Sequence, residues 1–219
     1  MYLIIAKHNK LMNTTNIKDF TTPEFIDAFT KIQKMFKEYT TTDAVGGKYE
    51  NGANNFLSEK TAMIANGPWM ISDFQDPTKA PAGFIDKVGA AIFPGQGVFD
   101  APMLGFFIAS KDKEHADATV TLLKYLTSKE VQLRGLEMVG TMPASTNIEI
   151  PQEVANKHPL ITELIKLANG AKYKYNNYQG LWYPNTLDTL STNYPALALN
   201  KMTPQEFAKK LTEAANKNK

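Results

Sequence analysis

Apolar positions along this chain fall into two regimes, stretches that repeat every three to four residues and short uninterrupted runs. The clearest periodic stretch lies between residues 22 and 40, where Phe25, Phe29, Ile32, Phe36 and Tyr39 share one helical face that is expected to be core. Thr22 stands where a cap belongs, and Pro23 suits the first turn. Thr41-Thr42-Asp43 and Gly46-Gly47 then break the chain before a short helical stretch at 54–58. A further short helix, Met70 to Phe74, ends at Asp76-Pro77, and residues 80–83 read as loop. From 113 to 140 the pattern predicts two helices. Val120, Leu123 and Leu126 mark the apolar side of the first, and Thr127 and Glu130 are spaced as a capping box for the second. Residues 141–159 are loop-rich, broken by Pro143, Pro151 and Pro159. Leu160, Leu164 and Leu167 predict a helix ended by Asn169-Gly170, and Leu187, Leu190 and Tyr194 another. The last helix opens at "TPQE", with Thr203 as N-cap, Pro204 in the first turn, Glu206 closing a capping box, and Phe207, Leu211 and Ala214 facing inward.

The uninterrupted runs are "TAMIA" at 61–65, "VGAAIFPG" at 88–95 and "LGFFIAS" at 104–110. Their length and continuity predict buried strands beneath helices. The N-terminal "MYLIIAKHNK" also reads as a strand, because its apolar stretch is too short for a signal sequence or a membrane span. The expected fold class is therefore α/β, helix-rich with short buried strands. No internal repeat is visible, and low complexity is confined to the Lys/Asn tail.

Composition narrows the chemistry. With 219 residues, 43% hydrophobic and 21% charged, the chain can bury a real core as one large or two small domains. Its 24 basic and 22 acidic side chains leave a net charge of +2 with no basic cluster, which argues against nucleic acid. The absence of cysteine removes disulfides, thiolate nucleophiles and Cys-based metal sites. His8, His115 and His158 lie far apart without metal-ligand spacing, so no metal and no cofactor are expected. Gly95-Gln96-Gly97 lacks the remaining residues of a phosphate loop and reads as a turn. Carboxylates such as Glu50, Asp73 and Asp100 could form a hydrolase pair, but no spacing selects them, and there is no G-x-S-x-G or S-x-x-K nucleophile motif.

What stands out is aromatic side chains at chain breaks. Tyr49 follows Gly46-Gly47, Trp69 follows Gly67-Pro68, and Trp182-Tyr183 lie between Gly180 and Pro184. Aromatics at helical spacing are ordinarily core, whereas those at loop-to-helix junctions can line a ligand site. A sugar ring has an apolar C–H face and a polar rim, so a flat aromatic ring is its natural support. Covering about 100 Å² of one indole is worth about 2–3 kcal/mol.

The order "FLSEKTAMIANGPW" at 56–69 resembles the corresponding stretch of extracellular solute-binding proteins of the maltose-binding type, the receptors of carbohydrate ABC importers. "TTPEFIDAFTKIQKMFKEY", "VGAAIFPG", "GFFIASKDKEHADATVTLLKYLTSKEVQ", "GTMPAS" and "TPQEFAKKLTEAANK" resemble other parts of that family in the same order, from residue 20 to the C-terminus. The resemblance implies a periplasmic-binding-protein-like (type II) fold, of which this chain looks like the C-terminal portion. It also implies a non-catalytic sugar receptor outside the cytoplasm, at the cell surface or in the periplasm, monomeric when intact and partnered by the membrane subunits of an ABC permease. Carried over by position, Trp69, Trp182 and Tyr49 match cleft aromatics, with Tyr183 beside them. Thr186 stands where the maltose receptor has Arg, which points to a different ligand. Residues 1–102 and 146–219 would build the C-lobe, 103–145 would cross to the N-lobe, and most of the N-lobe would be missing. Two alternatives remain open: a binding protein of the same architecture for a peptide, polyamine or iron complex, and a glycan-acting enzyme with carboxylates about 5–10 Å apart. The chain by itself could also lack a binding function.

Overall fold

Eight α-helices follow one another among the described residues of a computed structural model, which are 11, 13–93, 95–99, 105–139, 141–145 and 147–218. They are α1 Pro23–Tyr39, α2 Tyr49–Leu57, α3 Lys113–Leu126, α4 Lys129–Val139, α5 Gln152–Lys157, α6 Pro159–Gly170, α7 Pro184–Ala198 and α8 Pro204–Asn216. Two three-residue strands, β1 Gly97–Phe99 and β2 Tyr173–Tyr175, pair in parallel with Gly97 opposite Tyr173 and Phe99 opposite Tyr175. The described residues of Met1–Tyr49, Ile92–Ala101 and Ala171–Lys219 form one compact unit, and those of Glu50–Ala91 and Pro102–Gly170 a second.

In the first unit α1, α7 and α8 pack around a core of Phe20, Phe25, Phe29, Trp182, Leu197, Phe207 and Leu211. Several backbone groups left unpaired at helix ends in this unit are met by side chains. Gln33 donates to the carbonyl of Leu197 in the last turn of α7 and to that of Met202 just past it, at 3.1 and 3.0 Å. Thr203 and Glu206 make the full capping box that opens α8. At the far end of α8 Asn185 donates to Ala214 O at 2.7 Å, and Lys18 Nζ donates to Ala215 O at 3.2 Å.

The second unit is built on Ala53, Leu57, Met70, Ile71, Phe74, Phe84, Leu136, Leu160 and Ile161. Phe56, Phe74 and Phe84 form a mutual cluster with ring centroids 5.5–5.8 Å apart. Helix α3 belongs to this unit yet buries none of its residues, and Val120, Leu123 and Leu126 are only half-buried.

Several sequence expectations are corrected. The run 61–65 and the described parts of 88–95 and 104–110 form no strands; they are extended or irregular, with one isolated bridge from Phe93 to Gly97. Nor are they buried throughout, since Met63 is 87% and Phe107 is 92% exposed. An apolar run favours burial but does not specify the neighbour whose amides and carbonyls a strand needs. The pair that does form, β1 with β2, carries no such run. Thr127 does not open α4: its hydroxyl donates back to Leu123 O at 2.9 Å, ending α3, while Ser128 Oγ accepts from Val131 N at 3.4 Å. Helix α2 begins at Tyr49, five residues before the expected start, and α5 forms inside the stretch read as loop. Thr22 sits at the N-cap of α1 without a side-chain cap bond, and Tyr39 at its end is exposed. The N-terminal strand expected at 1–10 lies outside the described residues.

Candidate ligand-binding site

The segment 66–74 shows how one aromatic is set on the surface while its neighbours enter the core. Asn66 Oδ1 accepts from Gly67 N at 2.9 Å, and Asn66 Nδ2 donates to the buried Met70 Sδ at 2.7 Å. This bridge fixes the bend from which a 3₁₀ helix, Pro68–Phe74, starts with Pro in its first turn. With three residues per turn, positions three apart share a side. Ile71 and Phe74 accordingly point inward beside Met70, while Trp69 and Ser72 are exposed. Trp69 is 61% exposed. Its six-membered ring lies against the α-carbon of Gly67, where a Cβ would meet Cζ3 at 2.2 Å, Cη2 at 2.4 Å and Cε3 at 2.7 Å.

The other expected site residues occupy different surroundings. Tyr49, the first residue of α2 and the last of the first unit, is 53% exposed. Trp182 and Tyr183 are brought together on the turn into α7, in the first unit, whereas Trp69 belongs to the second. Trp182 is only 8% exposed, enclosed by Phe20, Tyr178 and Phe25 at centroid distances of 4.8, 5.1 and 6.1 Å. Burial raises the hydroxyl pKa of Tyr178 above its ordinary value. Tyr183, at the N-cap of α7, is half-buried with the Lys18 ammonium 4.6 Å from its ring centroid, a cation–π arrangement between residues too far apart along the chain for any local pattern to announce. Thr186, at the position where the resemblance has Arg, is fully buried with its hydroxyl unpartnered, so it offers nothing to a ligand on the surface.

Two residues that sequence reasoning passed over or undervalued now belong to the candidate site. Asn66 could have been found as an Asn immediately before a turn, a position where its side chain commonly bonds the local backbone. Gly67 is not there for its backbone conformation, since its φ of −133° is one any residue adopts. What requires glycine here is the space taken by the indole.

Among the described residues no group of three or more His, Cys, Asp or Glu could hold a metal ion. His115 Nδ1 lies 2.9 Å from Asp112 Oδ1 on an exposed helix start, and His158 Nε2 lies 3.1 Å from Glu137 O. Asp73 is paired with Lys79 at 2.7 Å and Glu50 is exposed, while Asp100 and His8 fall outside the described residues.

Residues 5–162 match a family described as bacterial extracellular solute-binding protein. No curated protein sequence matches the chain. Among solved structures, a chitin oligosaccharide binding protein shares 21% identity at a TM-score of 0.80, covering 98% of this chain and 55% of its own. A Streptococcus pneumoniae solute-binding protein in complex with the blood group A-trisaccharide shares 20% at 0.78, covering 96% and 54%. Maltose-bound T. maritima MalE3 shares 18% at 0.65, covering 90% and 51%. The chain thus spans about half the length of these structures. It has their periplasmic-binding-protein-like fold, here helix-rich with few strands, and with well over half its residues matched it belongs to the bacterial extracellular solute-binding proteins.

Proposed function

We propose that this chain is the sugar-binding portion of a non-catalytic receptor that captures an oligosaccharide outside the cytoplasm and delivers it to the membrane subunits of an ABC permease. The observation that carries this reading is Trp69, a 61% exposed indole braced on the backbone in a family of solute receptors. Support also comes from three proteins of like fold, a chitin oligosaccharide binding protein, a solute-binding protein in complex with the blood group A-trisaccharide and maltose-bound MalE3. Trp69 supplies the main platform for the apolar face of a sugar ring. Within the first unit, taken by itself, Tyr49 and Tyr183, the latter with Lys18 over its ring, are further aromatic candidates for contact with sugar, and Trp182 is the packing that fixes the turn carrying Tyr183. In the full-length receptor 1–102 and 146–219 belong to the C-lobe, 103–145 reaches the N-lobe, and the exposed apolar runs at 61–65 and 105–110 are covered by the rest of the protein.

A titration of the full-length gene product with a panel of oligosaccharides tests this. Trp69→Ala is expected to weaken binding between about tenfold and a few hundredfold, the equivalent of about 2–3 kcal/mol of lost apolar contact. An affinity within twofold of the parent would defeat the platform reading.

A further inference from the structure

The structure assigns to Gly67 the role of positioning residue for Trp69: its missing side chain is the seat on which the indole rests, so the ring is oriented before any ligand arrives. This inference rests on the reading of Trp69 as a platform only for its consequence in binding; the positioning itself is a statement about one ring and one backbone atom. Three observations converge. The backbone of Gly67 is extended, φ −133° and ψ 179°, so glycine is not required there by conformation. Three indole carbons stand 2.2–2.7 Å from the place a Cβ would take, closer than any side chain tolerates. The seat is itself held, since Asn66 grips Gly67 N–H on one side and the buried Met70 sulfur on the other. An exposed tryptophan otherwise samples several rotamers, and ordering it on binding weakens affinity. With one face resting on Gly67 and Pro68 fixing the turn, that ordering is done in advance.

The clash that Gly67→Ala creates is with the far end of an exposed ring, so the ring moves and the fold stays. The chain has two tryptophans, and 5-fluorotryptophan labelling therefore gives two ¹⁹F resonances, assigned with Trp69→Phe. In Gly67→Ala the Trp69 resonance is expected to shift and to become more sensitive to exchange of H₂O for D₂O, while the resonance of the buried Trp182 holds its place. A Trp69 resonance that stays put overturns the inference.

Binding is read in parallel with two probes, the β-1,4-linked trisaccharide of N-acetylglucosamine and maltotriose. Gly67→Ala is expected to weaken whichever probe binds by about two- to tenfold, the cost of ordering one free side chain. In a Trp69→Ala background, where the extra methyl meets no ring, it should have no further effect. That background also keeps the test decisive should Gly67→Ala alone fold poorly: equal losses with and without the indole contradict the inference. Should Trp69→Ala leave binding unchanged while the ¹⁹F shift occurs, the platform reading fails and the positioning stands. Should Trp69→Ala weaken binding while Gly67→Ala changes neither the resonance nor the affinity, the positioning fails and the platform stands.

Discussion

The two tryptophans of the chain lie in opposite environments, and substitutions at them separate core from surface. Trp182 is enclosed by three aromatic rings, so Trp182→Ala is expected to destabilise the protein by about 3–5 kcal/mol in urea denaturation. Trp69→Ala, which removes an exposed ring, is expected to change stability by no more than about 0.5 kcal/mol. The glycines show the same contrast. At Gly97 a Cβ would meet Cε2 of Tyr175 at 2.5 Å, but Tyr175 is buried and its ring cannot swing into water as that of Trp69 can. Gly97→Ala should therefore cost about 1–3 kcal/mol by overpacking. A thermal melt indistinguishable from the parent would show that the β1/β2 pair is looser than the geometry indicates.

Among elements, stretches with a periodic apolar face form helices where that pattern places them. Helix α8 has the complete capping box and buries Phe207, Leu211 and Ala214, and α6 and α7 fall where their leucines predict. Thr203→Ala should destabilise α8 by about 1 kcal/mol. Its capping box also sets a pH dependence: hydrogen bonds from Thr203 N–H and then its hydroxyl lower the pKa of Glu206 below the usual 4.5, and Thr21 and Thr78 similarly lower Asp19 and Asp76 below 3.8. Near these values the unfolded chain binds more protons than the folded one, so stability rises with pH there. The contribution is complete above the unfolded values and is lost as pH falls through the lower folded ones. Thermal midpoints should decline below about pH 4.5, with a shallower decline in Glu206→Gln. What the sequence hid are elements defined by partners. Thr127 and Glu130 have the spacing of a capping box, yet the Thr127 hydroxyl donates back to Leu123 O and it is Ser128 Oγ that accepts from Val131 N. The strands at 97–99 and 173–175 have no apolar run to announce them, because their pairing is carried by backbone contacts between distant segments. Among site residues, the sequence pointed to Trp69 through its Gly-Pro setting, but nothing in it distinguished the exposed Trp69 from the buried Trp182.

For the whole molecule, the notable feature is apolar surface in the second unit, where Met63, Phe106 and Phe107 are exposed and α3 has no buried residue. Relatives of like fold are about twice as long, and we propose that the remaining length covers this surface. Hydrogen exchange at 61–65 and 105–110 should then be slower in the full-length gene product than in the 219-residue chain alone. Equal exchange would refute that covering. The most direct test of the proposed capture of sugar on Trp69 is a calorimetric titration of the full-length product with oligosaccharides, alongside Trp69→Ala. Saturable binding of one oligosaccharide class, weakened by at least about tenfold in Trp69→Ala, is expected. Binding that persists undiminished in Trp69→Ala would contradict it.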